Sequence, residues 1–229
     1  MADLKSRIYP HILNARGWRT KRKIVVLESD DWGSIRTSSK EAYNMLLNAG
    51  TRVDKCPYCK NDSLASQDDL QLLFEVLAKH KDSKGKPALI TANTIVANPD
   101  FDKIKEQRFE TYFYEPFTET LKKYPNHEKS FQLWKEGISS NLFFPQFHGR
   151  EHLNVHRWLQ ALRSGSKETL LAFENKMFGI STTITVEKRR SYMAALEYDD
   201  QKQMEWQKEM LVDGLDLFEK IFIIYCFFY

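Results

Sequence analysis

Apolar residues along this chain follow two rhythms. Short, nearly continuous apolar runs, Ile24-Val25-Val26-Leu27, Ala88 to Val96, Leu142-Phe143-Phe144-Pro145-Gln146-Phe147 and Gly179 to Val186, have the length and β-branched or aromatic content of buried strands. Between them the spacing lengthens to that of helices. Ser38 to Leu47 reads as one helix, stopped by Asn48-Ala49-Gly50. Ser66 and Asp69 form a capping box ahead of the face Leu70, Leu73, Phe74 and Leu77, and Lys84-Gly85-Lys86-Pro87 closes that unit. Asn154 can cap a helix presenting Val155, Trp158, Leu159 and Leu162, and Ser166 starts another with Leu170, Phe173 and Met177 inward. A long helix from about Asp199 carries Leu211, Leu215, Phe218 and Phe222 on one side. Residues 100–141 follow neither rhythm; this irregular stretch, with Phe109, Tyr112, Phe117 and Trp134 among its aromatic residues, predicts packing over a rim. Strands separated by helices predict an α/β fold, a parallel sheet or barrel of βα units.

Composition narrows this only slightly. The chain has 229 residues, 42% of them hydrophobic, enough for one sizeable core and a single domain. Its 34 basic and 31 acidic residues nearly cancel, which argues against nucleic acid or an anionic membrane as partner. Three cysteines make no disulfide framework, and the N-terminal residues hold no apolar core of a signal peptide, so a reducing, cytoplasmic setting is expected. The apolar segment Ile221–Tyr229 is far short of the ~20 residues that span a bilayer.

The chemistry lies in two polar stretches placed just after strand-like runs, where α/β folds carry their active sites. One is Ser29-Asp30-Asp31-Trp32-Gly33, the other His148-Gly149-Arg150-Glu151-His152. A histidine pair alone is most often two polar residues on a helix. Joined by a carboxylate from a second strand end, it supplies three ligands and leaves coordination positions for water and substrate. Glu151 reads as a solvated or supporting carboxylate, and His156 as a surface or packing residue. Cys56-Pro57-Tyr58-Cys59 spells a redox pair, but it sits in a polar loop with no strand before it and no second pair to complete a zinc ribbon.

An Asp-Asp pair after the first strand and a His-x-x-x-His pair further along resemble the polysaccharide deacetylases of the NodB homology type. The resemblance implies a distorted (β/α) barrel and removal of acetyl groups from an acetylated sugar or glycan. By the same resemblance Asp30 would be the catalytic base, and Asp31, His148 and His152 would hold a divalent metal, zinc first, with cobalt or nickel as alternatives.

The departures are equally specific. The family has Thr-Phe-Asp-Asp where this chain has Glu28-Ser29-Asp30-Asp31, and a hydroxyl residue where it has Gly149. The family's later Arg-x-Pro and Leu-x-Ile-His segments, the second carrying the general acid, have no counterpart. The expectation is a barrel incomplete at its C-terminus, with unpaired strand edges that favour self-association. Two other readings follow: an inactive remnant that binds metal or glycan without turnover, and a two-histidine, one-carboxylate iron oxygenase, disfavoured because its ligands usually share one short segment on a β-sandwich.

Overall fold

The computed structural model of the chain describes residues 2–15, 17–180 and 184–222. In chain order its elements are α1 (Ala2–Ala15), β1 (Leu27–Trp32), α2 (Lys40–Asn48), α3 (Pro57–Asn61), α4 (Gln67–Lys79), β2 (Ile90–Ile95) and β3 (Ala97–Pro99). They continue with α5 (Phe101–Glu106), β4 (Tyr114–Pro116), α6 (Phe117–Leu121), α7 (Ser130–Ser139), β5 (Phe143–Gly149), α8 (Val155–Arg163), α9 (Lys167–Glu174) and α10 (Gln201–Phe222). The architecture is mixed α/β. Strands β1, β2 and β5 make a parallel three-stranded sheet with β2 in the centre, and β3 pairs antiparallel with β4. No closed barrel forms among the described residues.

Several elements form for the reasons their sequences suggest. Ser66 accepts from the Asp69 amide while Asp69 accepts from the Ser66 amide, so the capping box of α4 closes as expected. Asn154 and Ser166 cap α8 and α9 through their side chains. Val155, Trp158, Leu159 and Leu162 are all buried, and Trp158 packs with Phe101 and Phe173 in one core cluster. No described helix is long and apolar enough to cross a membrane.

Four expectations need correction. Ile24, Val25 and Val26 lie outside the first strand and are 53%, 83% and 71% exposed. The pairing of Leu27 with Ile90 starts β1 at Leu27, so the strand is the polar run that follows, and the two aspartates lie inside it. Residues 100–141 are not irregular: α5, β4, α6 and α7 occupy most of them. Helices this short complete too few turns to display a period. Their aromatic rings fasten them to the sheet, with Trp134 centred 4.9 Å from both Phe143 and Phe117 and Trp32 4.9 Å from Phe143.

Of the strand expected over Gly179–Val186, residues 181–183 lie outside the described residues and the rest are not extended into a sheet. Ile180 and Ile184 instead fill a core cluster with Cys56, Cys59 and Met177. On α10 the buried positions are Gln203, Gln207, Met210, Gly214 and Phe218, a stripe rotated from the expected one, because this face meets the loop after β5 rather than a purely apolar wall. Of the apolar segment Ile221–Tyr229, residues 223–229 lie outside the described residues.

The turn leaving β1 is held tightly. Asn98 is buried, donates to the Gly33 carbonyl at 2.9 Å and accepts from the Ile35 amide at 3.0 Å. Gly33 has φ +86°, and a Cβ there would stand 2.4 Å from the Ile95 carbonyl oxygen and 3.1 Å from the Phe117 ring. Gly33→Ala therefore combines a left-handed backbone with overpacking, and should cost about 2–4 kcal/mol of stability. Urea unfolding checks this; a loss under ~0.5 kcal/mol would contradict so close an approach.

Candidate metal centre

Two bulges build the site. Along β1, Ser29 pairs with Ala92 and Trp32 with Thr94, so β1 carries one residue more than β2 over the same span. Across the sheet, Thr94 pairs with Phe147 and Ile95 with Gly149, which leaves His148 as the extra residue of β5. A bulge re-aims side chains that a regular strand would send to alternating faces. Asp31 lies in the first bulge with φ +63°, a left-handed conformation uncommon outside glycine but tolerated by aspartate and asparagine. Gly149, with φ +140°, lets β5 turn away directly after His148.

The two oxygens of Asp31 have different partners. Oδ2 accepts from Arg36 Nη2 at 3.1 Å, and the same buried guanidinium reaches Asp62 Oδ2 at 3.3 Å through Nε. Oδ1 faces the histidines, 3.3 Å from His152 Nδ1 and 3.7 Å from His148 Nε2. Asp31 Oδ1 and His152 Nδ1 are nevertheless buried atoms that make no hydrogen bond. At 3.3 Å the two atoms are within ion-pair reach, but their alignment falls outside a regular hydrogen bond. Burial works to raise the Asp31 carboxyl, but His152, Arg36 and His148 together outweigh it and hold the group below the ordinary carboxylate range. Asp62, sharing the same arginine, is pushed the other way by its own burial, with the Asp31 charge adding to the effect.

The imidazoles are neither on a helix nor fully enclosed. His148 is the penultimate residue of β5 and His152 lies in the loop before α8, with side chains 34% and 35% exposed and ring centres 5.8 Å apart. The loop between them is anchored from beneath. Arg150 donates to Glu151 through Nε and Nη2 at 2.6 and 2.8 Å and to Asp213 of α10 through Nη1 at 2.8 Å, and its guanidinium lies 4.5 Å from the centre of the Tyr114 ring. Gly214 makes this approach feasible, since a Cβ there would lie 3.1 Å from the Arg150 backbone nitrogen and 2.8 Å from its Cβ.

Glu151 is thus not a solvated carboxylate. It is buried against Arg150; burial pushes its carboxyl up, and the guanidinium offsets part of that rise. His156 is exposed, in keeping with a surface role.

Asp30 points elsewhere than Asp31. It is exposed, and its Oδ1 accepts from Asn93 Nδ2 at 2.6 Å; Asn93 also donates to Glu28 at 2.8 Å. The structure therefore brings Asp31, His148 and His152 together and leaves Asp30 on the exposed strand face where Asn93 also meets Glu28. Arg36, Asn93 and Asp213 are supporting residues that sequence reasoning passed over. Arg36, five residues after Asp31 and flanked by uncharged neighbours, was the one legible hint. The cysteines also differ from expectation. Cys56 caps α3, accepting weakly from the Cys59 amide at 3.5 Å, and both are buried in a core cluster rather than lying in a polar loop.

Among the described residues no group of three or more His, Cys, Asp or Glu side chains is placed to hold a metal ion. No family model, curated protein or solved structure matches the chain. The function must be argued from the site's own geometry. Arg150→Leu would leave Glu151 buried without its partner, and a loss of about 3–5 kcal/mol is expected. Denaturant midpoints measure it; a change below ~1 kcal/mol would show that the pair does not anchor the loop.

Proposed function

We propose that the chain is a metal-dependent hydrolase of the polysaccharide deacetylase kind, removing acetyl groups from an acetylated sugar or glycan. One observation carries the reading: a single carboxylate oxygen, Asp31 Oδ1, faces two imidazole nitrogens at 3.3 and 3.7 Å with no hydrogen bond made. Ligands ~2.0–2.2 Å from a tetrahedral ion stand roughly 3.3–3.6 Å from one another. The 3.3 Å contact to His152 falls in that range, the 3.7 Å contact to His148 lies just beyond it, and both histidines are exposed enough for their rings to turn toward a common centre. Two imidazoles and a carboxylate suit zinc, cobalt or nickel. The three-stranded parallel sheet is compatible with part of a (β/α) barrel.

The roles of the side chains follow from their surroundings. A divalent metal held there would polarise the carbonyl oxygen and lower the pKa of water from about 15.7 to about 7. Arg36 holds Oδ2 of Asp31, so that Oδ1 alone is offered and its direction is set. The resemblance gives Asp30 the part of proton acceptor for the attacking water, a part that requires its carboxylate to turn from Asn93 toward the histidines.

A second reading, binding without turnover, is favoured by a specific feature. The two carboxylates lining the cleft beside the histidines, Glu151 and Glu197, are tied to Arg150 and Arg157. Neither stands free to protonate a departing amine.

Acetate release from N-acetylated chito-oligosaccharides by zinc-loaded chain separates the two. Hydrolysis is expected, and Asp30→Asn should lower kcat by about 10²–10⁴-fold while the zinc content stays the same. Zinc bound with no acetate released establishes the second reading.

A further inference from the structure

The near-cancellation of charge over the whole chain conceals its distribution. From Leu4 to Leu27 there is no acidic residue, while seven residues are basic, four of them in the run Arg19, Lys21, Arg22 and Lys23. That segment carries +7; the rest of the chain, with the remaining 27 basic side chains against all 31 acidic ones, carries −4. A balanced total therefore says nothing against a local anionic partner.

The same segment concentrates the exposed apolar surface. On α1 every side chain described, those of residues 8, 9 and 11–15, is exposed. Ile8 and Ile12 stand four apart, as do Tyr9 and Leu13, so they make one apolar stripe whose members are 46–62% exposed. Trp18 follows at 79%, and then Ile24, Val25 and Val26, which lie outside the sheet. Of the 19 large hydrophobic residues exposed among the described ones, nine fall between Ile8 and Leu27. Singly scattered residues of this kind are ordinary; such a concentration marks a surface that meets something.

The chemistry of the segment selects the partner. An apolar groove would leave the basic run without counter-charges, and a nucleic acid would leave the aliphatic side chains in water. An anionic lipid surface satisfies both, since its phosphates face the cations and its acyl boundary takes the apolar stripe, with tryptophan favoured at the level between. At 14 residues, α1 is too short to span a bilayer and suited to lying in its interface.

We infer that residues 4–27 seat the protein on an anionic membrane surface, with Ile8, Tyr9, Ile12 and Leu13 toward the acyl chains and the Arg19–Lys23 run on the headgroup phosphates. The inference stands independently of the hydrolase reading.

The test is sedimentation of the full chain with vesicles of phosphatidylcholine alone, or with about one-quarter phosphatidylglycerol, at about 0.1 M and about 0.5 M salt. Binding to the anionic vesicles should exceed that to the neutral ones by about tenfold or more and fall by a similar factor at the higher salt. Ile8→Asp with Ile12→Asp, and separately Lys21→Gln, Arg22→Gln and Lys23→Gln together, should each weaken it by about tenfold or more. All five positions are exposed, so the thermal midpoint should stay where it is in both variants. Equal binding to the two vesicle types, binding to neither, or binding that either variant retains overturns the inference. Sedimentation of the chain alone, unchanged by vesicles, would assign the segment to a second copy, and capture of a duplex oligonucleotide undiminished by Ile8→Asp with Ile12→Asp would assign it to nucleic acid; each result overturns the membrane.

Discussion

The left-handed turn of Asp31 inside the β1 bulge is the constraint on which the site depends. A non-glycine residue in that conformation costs about 1–2 kcal/mol, and it persists only where surroundings over-determine it. Here three contacts do so. The extra residue in the register with β2 forces the backbone out of line, Arg36 captures one carboxylate oxygen, and Asn98 clamps the turn that follows. The strain has a use: it aims Asp31 at the histidines of β5. Without it, adjacent aspartates would still point apart, but Asp31 would be aimed by the pleat rather than at its partners.

The opposite side of the site is held by different physics. The histidine loop contains Arg150 and Glu151 and is fixed by a buried ion pair extended to Asp213, with Gly214 allowing α10 to approach the backbone. Buried pairs add little net stability compared with apolar packing, yet they fix geometry because leaving one partner alone is costly. Helix α10 therefore serves the site twice. It anchors the loop that carries His148 and His152, and through Met210, Leu211 and Gln207 it shapes the wall facing them.

The parts legible in the sequence were those that depend on local chemistry. The caps at Ser66, Asn154 and Ser166 and the buried stripe of α8 depend on residues a few positions apart, and they are where the pattern puts them. That Asp31 would lie near His148 and His152 was also legible, although the aspartates sit inside the polar strand Leu27–Trp32 and not after the apolar run before it. The bulges were not, because a register shift is a property of two strands and leaves no mark on either alone. The same holds for Arg36, whose role depends on reaching back to Asp31, and for Asp213, which acts across a helix–loop contact. Ile24-Val25-Val26 misled because apolar content marks a strand only where a neighbouring strand pairs with it. The short aromatic helices of residues 101–139 were hidden by their length.

The most direct test of the account is the zinc content of the full chain and of Asp31→Asn, measured by elemental mass spectrometry after reconstitution and gel filtration. Asparagine tolerates the left-handed backbone and keeps a partner for Arg36, so the exchange removes charge and leaves the bulge in place. The account predicts about one zinc per chain in the unaltered protein and almost none in the variant. Equal zinc in both, or none in either, would contradict it.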